Sequence, residues 1–131
     1  AVRDVAAHRR VVVDHEQQAA AVVEAVRRLA RPLPLLGLPG SRVLQLATRA
    51  GLPVVPEGFA DRAYTPDGRL VPRSEPGAVL HDVDAVAAQA VALLGEVGSI
   101  CVHSDSPGAL DLVRAVRSAL EQAGATVGSA A

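Results

Sequence analysis

The apolar positions Ala19, Val22, Val23, Val26, Leu29 and Ala30 recur three and four residues apart, the spacing of one helical face. Pro32 and Pro34 close that helix, because proline lacks an N–H and clashes with the preceding turn. The apolar run over 33–38 predicts a buried strand bounded by Gly37, Pro39 and Gly40. Ser41 stands where it could cap a second helix carrying Val43, Leu46, Ala47 and Ala50, with Gly51 at its end. Residues 52–56 predict a second strand. Asp82 then caps a helix with Val83, Val86, Ala87, Ala90 and Leu93 on one face, stopped by Gly95 and Gly98. Residues 99–103 predict a third strand. Ser106 and Pro107 form a cap and first-turn pair for a last helix with Leu112, Val113, Val116 and Leu120 on its stripe. Gly124 ends it, and the small, polar tail beyond is expected to fray.

Helix and strand therefore alternate, with one long connection after the second strand. That order predicts an α/β architecture with a parallel sheet, flanking helices, about three core strands and four helices. Three strands do not close a barrel, so the pattern points to part of a larger sheet. Residues 1–131 suit one domain, and no repeat or low-complexity linker divides them.

Composition sharpens this in a few respects. Half of the residues are hydrophobic, but Phe59 and Tyr64 are the only aromatic ones, so the core must rest on many small Ala, Val and Leu contacts. A net charge of −1 argues against an electrostatic surface for nucleic acid or membrane. No apolar run approaches the ~20 residues of a membrane span, and no signal peptide is visible. A single cysteine, Cys101, excludes an internal disulfide and fits a reducing compartment, so a cytoplasmic protein is expected. The chain opens on Ala1, without Met, which suggests a fragment or a processed form.

The segment 57–73 departs from the packing pattern. Both aromatic residues fall in it, together with acidic and arginine side chains around a Pro-Asp-Gly turn. It leaves the carboxyl end of the second strand, where α/β folds carry their active-site loops. Thr65-Pro66-Asp67-Gly68 has tight-turn chemistry, so residues 63–65 and 69–71 are expected to form a small hairpin. Arg62 and Arg73 would flank its base, suited to holding a carboxylate or phosphate through paired N–H donors. Glu57 and Asp61 are acid/base candidates. An Ω-like structural loop with its own ion pairs accounts for the same residues equally well.

At the end of the third strand, His103-Ser104-Asp105 offers a general base or metal ligand in His103, with Asp105 to orient it or bind a metal. One His-x-Asp without further ligands is weak support for a metal. Strand alternation sets Cys101 on the face of His103, but a small, buried cysteine explains Cys101 better than a nucleophile does. Gly37-Leu38-Pro39-Gly40-Ser41 lacks the Gly-Lys-Ser/Thr ending of a P-loop and reads as a tight turn. His8-Arg9-Arg10 and His15 read as a solvated charged stretch, and His81 receives no role.

Residues 57–79, through Pro72-Arg73-Ser74-Glu75-Pro76-Gly77-Ala78-Val79, resemble a hallmark block of the LamB/YcsF family, the A subunits of the prokaryotic 5-oxoprolinase. Ala1-Val2-Arg3-Asp4, the helix over 22–29 and residues 33–41 resemble the middle of such proteins. Ser99-Ile100-Cys101-Val102-His103, Asp105 and Pro107-Gly108-Ala109 resemble their closing strand and helix. The resemblance covers the C-terminal half of the family pattern. The family's Asn-Cys-Asp strand and its Gly-Phe-His-Ala-Gly and Lys-Pro-His-Gly blocks have no counterpart. Residues 94–98 look like a shortened connection, and Ser104 replaces the usual glycine.

The resemblance implies a portion of a (β/α) barrel and ATP-dependent hydrolysis of 5-oxo-L-proline to L-glutamate, together with B and C subunits. In that reading Asp61, His103 and Asp105 carry the polar catalysis, and Arg62, Arg73, Glu57 and Tyr64 bind the small-molecule substrate. ATP is the implied cofactor, and no metal is assigned. The competing expectation is a non-catalytic half-barrel, acting as an assembly fragment or pairing with a second copy through its open edge. A metal-dependent amidohydrolase of deacetylase-like architecture is a weaker third.

Overall fold

The computed structural model describes residues 15–31 and 33–128. The family-like Ala1–Asp4, the charged stretch His8-Arg9-Arg10 and the helix-closing Pro32 lie outside them. The elements follow the predicted order: α1 His15–Arg27, β1 Leu35–Gly37, α2 Arg42–Arg49, β2 Val54–Phe59, α3 Val83–Ala92, β3 Ser99–Cys101 and α4 Ala109–Gln122. The strands form one parallel sheet in the order β1-β2-β3, with Leu36 opposite Val55 and Gly58 opposite Ile100.

Boundaries moved for identifiable reasons. β1 and β3 are each three residues long, shorter than the apolar runs that announced them. β2 runs on through Phe59, so Glu57 is a strand residue and not a loop residue. Proline is tolerated inside this central strand. Leu35 N–H donates to the Pro53 carbonyl, which turns residues 53, 55 and 57 toward β1 and Pro56 toward β3. There β3 starts only at Ser99, opposite Glu57, so no ladder position needs the missing N–H.

The caps divide. Asp82 accepts from Ala85 N–H at 2.8 Å, as expected of an N-cap carboxylate. Ser41 stands at the predicted cap of α2 but makes no capping bond, and its Oγ is buried without a partner. For α4 the cap is Gly108, at φ +74°, and neither Ser106 nor Pro107. A left-handed turn there is open to glycine at little cost, which the Ser-Pro reading overlooked.

The helices lie on one side of the sheet. Val86 and Ala90 of α3 pack with Leu112, Val116 and Leu120 of α4 over Ala60, and Leu80, Ile100 and Val102 close the cluster. On the same side, a Cβ at Gly58 would lie 3.0 Å from the Leu93 side chain, and one at Gly37 would crowd Val43 and Leu44 of α2. α1 packs on α2, burying Ala19 and Val23. Strand alternation turns Leu36, Val55, Glu57, Phe59 and Cys101 to the other side, where no described helix covers them. Leu36 is accordingly exposed.

Candidate functional site

The site gathers at the carboxyl ends of β2 and β3. Asp61 lies two residues past β2 and is fully buried, at 0% exposure. Its Oδ2 accepts the backbone N–H of His103 at 2.8 Å, and its Oδ1 lies 2.9 Å from His103 Nδ1. In a continued parallel ladder, where Ala60 N–H already donates to the Cys101 carbonyl, that His103 N–H would go to the Ala60 carbonyl. Asp61 takes it instead. With an ionised carboxylate and a neutral imidazole, this contact makes Nδ1 the donor and leaves Nε2 its lone pair. The Phe59 ring stacks on the imidazole, centroids 5.4 Å apart and planes 15° off parallel. The His103 side chain remains 25% exposed. An imidazole held in this way can act as a general base.

The hairpin forms as expected. Thr65 N–H donates to the Arg69 carbonyl and Val71 N–H to the Ala63 carbonyl, and Gly68 turns the chain at φ +81°. Residues 78–80 then return alongside 61–63. Arg62 is buried within this loop, where Nε donates to the Ala78 carbonyl at 3.3 Å and a terminal nitrogen to the Val71 carbonyl at 2.9 Å. Those donors brace the loop. The Tyr64 hydroxyl accepts Phe59 N–H at 2.8 Å, filling the ladder position that β1 vacates after Gly37. Tyr64 and Glu57 also line a small cleft with Leu38, Pro39 and Leu93. A larger cleft, by Ser99, Leu120 and Thr126, lies at the amino-terminal end of β3, away from the dyad.

Arg73 reaches across to Asp105 at 2.7 Å, tying the loop to the segment that follows His103. This bond, with the nearby positive charge, holds the Asp105 carboxyl below the usual carboxylate range. Asp105 therefore pairs with Arg73, and it is Asp61 that orients His103. Burial pushes the Cys101 thiol up, and the charges of Glu57 and Asp61 add to the effect. That keeps it protonated and argues against a Cys101/His103 nucleophile pair. Among the described residues, no three His, Cys, Asp or Glu side chains gather as a metal would require. No described helix is long and apolar enough to cross a membrane.

Sequence reasoning passed over Gln89. Its side-chain nitrogen, from α3, donates to three carbonyls: Phe59 at 2.8 Å, Ala60 at 3.0 Å and Arg62 at 2.7 Å. The available signal was a polar residue set inside the apolar stripe of Val86, Ala90 and Leu93.

Comparison with known proteins gives a consistent picture. The model of the LamB/YcsF family matches residues 2–131. The 5-oxoprolinase A subunit of Streptomyces avermitilis is 53% identical over 130 residues, covering 88% of this chain and 52% of the relative. Its counterpart from Photorhabdus laumondii is 46% identical over 132 residues, covering 90% and 52%. The crystal structure of a lactam utilization protein from Thermus thermophilus superposes with a TM-score of 0.75 at 37% identity, covering 83% of this chain and 49% of that one. The chain thus spans about half the length of the relatives it matches.

Proposed function

The chain belongs to the LamB/YcsF family, and from that premise we propose that it supplies the base-bearing portion of a 5-oxoprolinase A subunit. The observation that carries this reading is the Asp61–His103 pair, a buried carboxylate orienting a partly exposed imidazole on the helix-free side of the sheet. The reaction is the ATP-dependent opening of the 5-oxo-L-proline lactam to L-glutamate, together with B and C subunits. Lactam opening breaks the ring C–N bond, gives the carbonyl carbon a hydroxyl from water and gives the ring nitrogen a proton. His103 Nε2 is suited to take the proton from the attacking water and return it to the nitrogen. Arg73, half-exposed beside the dyad, is suited to the substrate carboxylate, exchanging Asp105 for it. ATP supplies phosphoryl-transfer energy, but the described residues form no phosphate cradle. Ser41 Oγ is buried at the glycine-rich turn, and the adjacent Arg42 pairs with Glu16. No step is therefore routed through the nucleotide.

The test is L-glutamate release from 5-oxo-L-proline and ATP, with the chain, B and C subunits together. His103→Ala should lower turnover about 10²–10⁴-fold with little change in KM. Unchanged turnover would remove His103 from the chemistry. The uncovered sheet face also suits a purely assembling role. If the unsubstituted chain raises the mass of the complex in size exclusion but adds no glutamate release, that second reading replaces the first.

A further inference from the structure

We infer that Gln89 is a positioning residue for the Asp61–His103 pair, and that it acts by holding the ladder open at one bond. At the end of β2, two acceptors compete for the His103 N–H: the Ala60 carbonyl, which the parallel register offers, and the Asp61 carboxylate, which holds it at 2.8 Å. If the carbonyl took the N–H, Asp61 would lose the bond that aligns it with the imidazole. Gln89 biases the competition by donating its side-chain nitrogen to the Ala60 carbonyl at 3.0 Å, which leaves that oxygen one lone pair and fixes its direction. The same nitrogen reaches Phe59 O and Arg62 O, one on each side of Asp61, so the backbone carrying the carboxylate is held at both shoulders. One amide offers two hydrogens, and three acceptors share them. This is a costly convergence unless the three carbonyls must stay where they are.

The neighbouring bonds of the turn leave these carbonyls to Gln89. Ala63 N–H goes to the Ala78 carbonyl and Leu80 N–H to the Asp61 carbonyl, so neither draws on Phe59 O, Ala60 O or Arg62 O. The half-buried side chain projects from the interior of α3, between Val86 and Ala90 of the core. A helix anchored by that core thereby sets the geometry of a pair to which it contributes no reacting atom. The inference rests on the proposed reading only for what the pair is used for; the hydrogen-bond switch stands apart from it.

The test uses Gln89→Met, which keeps length and shape while removing the donors, and reads the His103 tautomer by long-range proton–nitrogen NMR without substrate. The unsubstituted chain should show the proton on Nδ1. The Met variant should lose that preference while its circular dichroism stays native, and a Met variant with an intact Nδ1–H tautomer overturns the inference. A second measurement needs no substitution. Scalar couplings across hydrogen bonds in the unsubstituted chain should link Gln89 Nε2 to the carbonyl carbons of Phe59, Ala60 and Arg62. A coupling from His103 N to the Ala60 carbonyl carbon would overturn it even if the variant fails to fold. In the assembled enzyme the variant should lose about tenfold or more in kcat with KM little changed. A lost tautomer with unaltered glutamate release would leave the switch standing and refute the catalytic reading of the pair instead.

Discussion

Asp61→Asn changes one atom and tests the whole logic of the site. The carboxylate now accepts from His103 N–H through Oδ2 at 2.8 Å, and Nδ1 lies within reach of both oxygens, 2.9 Å from Oδ1 and 3.0 Å from Oδ2. An amide accepts through its single oxygen only. If that oxygen takes the Oδ2 place and keeps the backbone N–H, the amide NH₂ stands in the Oδ1 place 2.9 Å from Nδ1, which favours a lone pair there and the proton on Nε2. If the oxygen keeps Nδ1–H, two N–H donors oppose each other in a site with 0% exposure. The second arrangement costs more, because it adds a buried, unpaired donor at about 1–3 kcal/mol to the charge-assisted bonding that either arrangement forfeits. The first forfeits only that bonding, roughly 1.5–3 kcal/mol, partly offset because a neutral amide is cheaper to bury than a carboxylate. The net expectation is a destabilisation of about 1–2 kcal/mol, a drop of roughly 0.5–1 M in the urea midpoint at unchanged slope. On the proposed reading, glutamate release with B and C subunits should fall about 10²–10⁴-fold, since the ring's lone pair then faces inward to the amide. Urea unfolding and a coupled glutamate assay check both numbers. An Asp61→Asn variant with native stability and native turnover would refute the reasoning.

Three further outcomes are expected. Leu112→Ala, at a core position only 1% exposed, should cost about 2–5 kcal/mol in urea unfolding, because a core of small side chains has little to collapse into the cavity. Cys101 should alkylate more slowly than free cysteine through mildly alkaline pH, its inflection lying above the ordinary thiol value, and Glu57→Gln should move that inflection down. The depressed Asp105 carboxyl means the Arg73 tie is present above the ordinary carboxylate pKa and is lost only as pH falls through the lower folded value. Arg73→Ala should raise the Asp105 titration seen by carboxyl-carbon NMR, and salt should weaken the tie in the unsubstituted chain.

The alternation of elements was legible in the sequence because Gly51, Asp82 and Gly124 punctuate it in the positions where caps and turns work. The hairpin around Pro66-Asp67-Gly68 was readable for the same local reason. What the sequence did not show was which partner each polar side chain meets once the loop and the crossover have folded. Arg62 and Tyr64 look like ligand-facing residues until the carbonyls and the N–H they meet are known. Asp105, the nearest carboxylate in sequence, was the natural orienter for His103, yet Arg73 claims it and Asp61 takes the imidazole. Glu57 passed for the first loop residue because a charge beside Pro56 resembles a strand end. It lies inside β2, on a face left without a helix.

The separation of Asp61 and His103 by 42 residues has a consequence for how the molecule comes together. The bonds that shape the hairpin and its return join residues at most 19 apart, so that loop closes over short distances. The dyad waits for a full crossover: α3 must form, settle on the sheet and bring β3 beside β2. Closing the longer loop costs more chain entropy and comes later in an ordered assembly. The polar centre is therefore finished by the same docking event that buries Val86 and Leu112. A chain that stalls before that event would carry a native-looking hairpin and no Asp61–His103 pair.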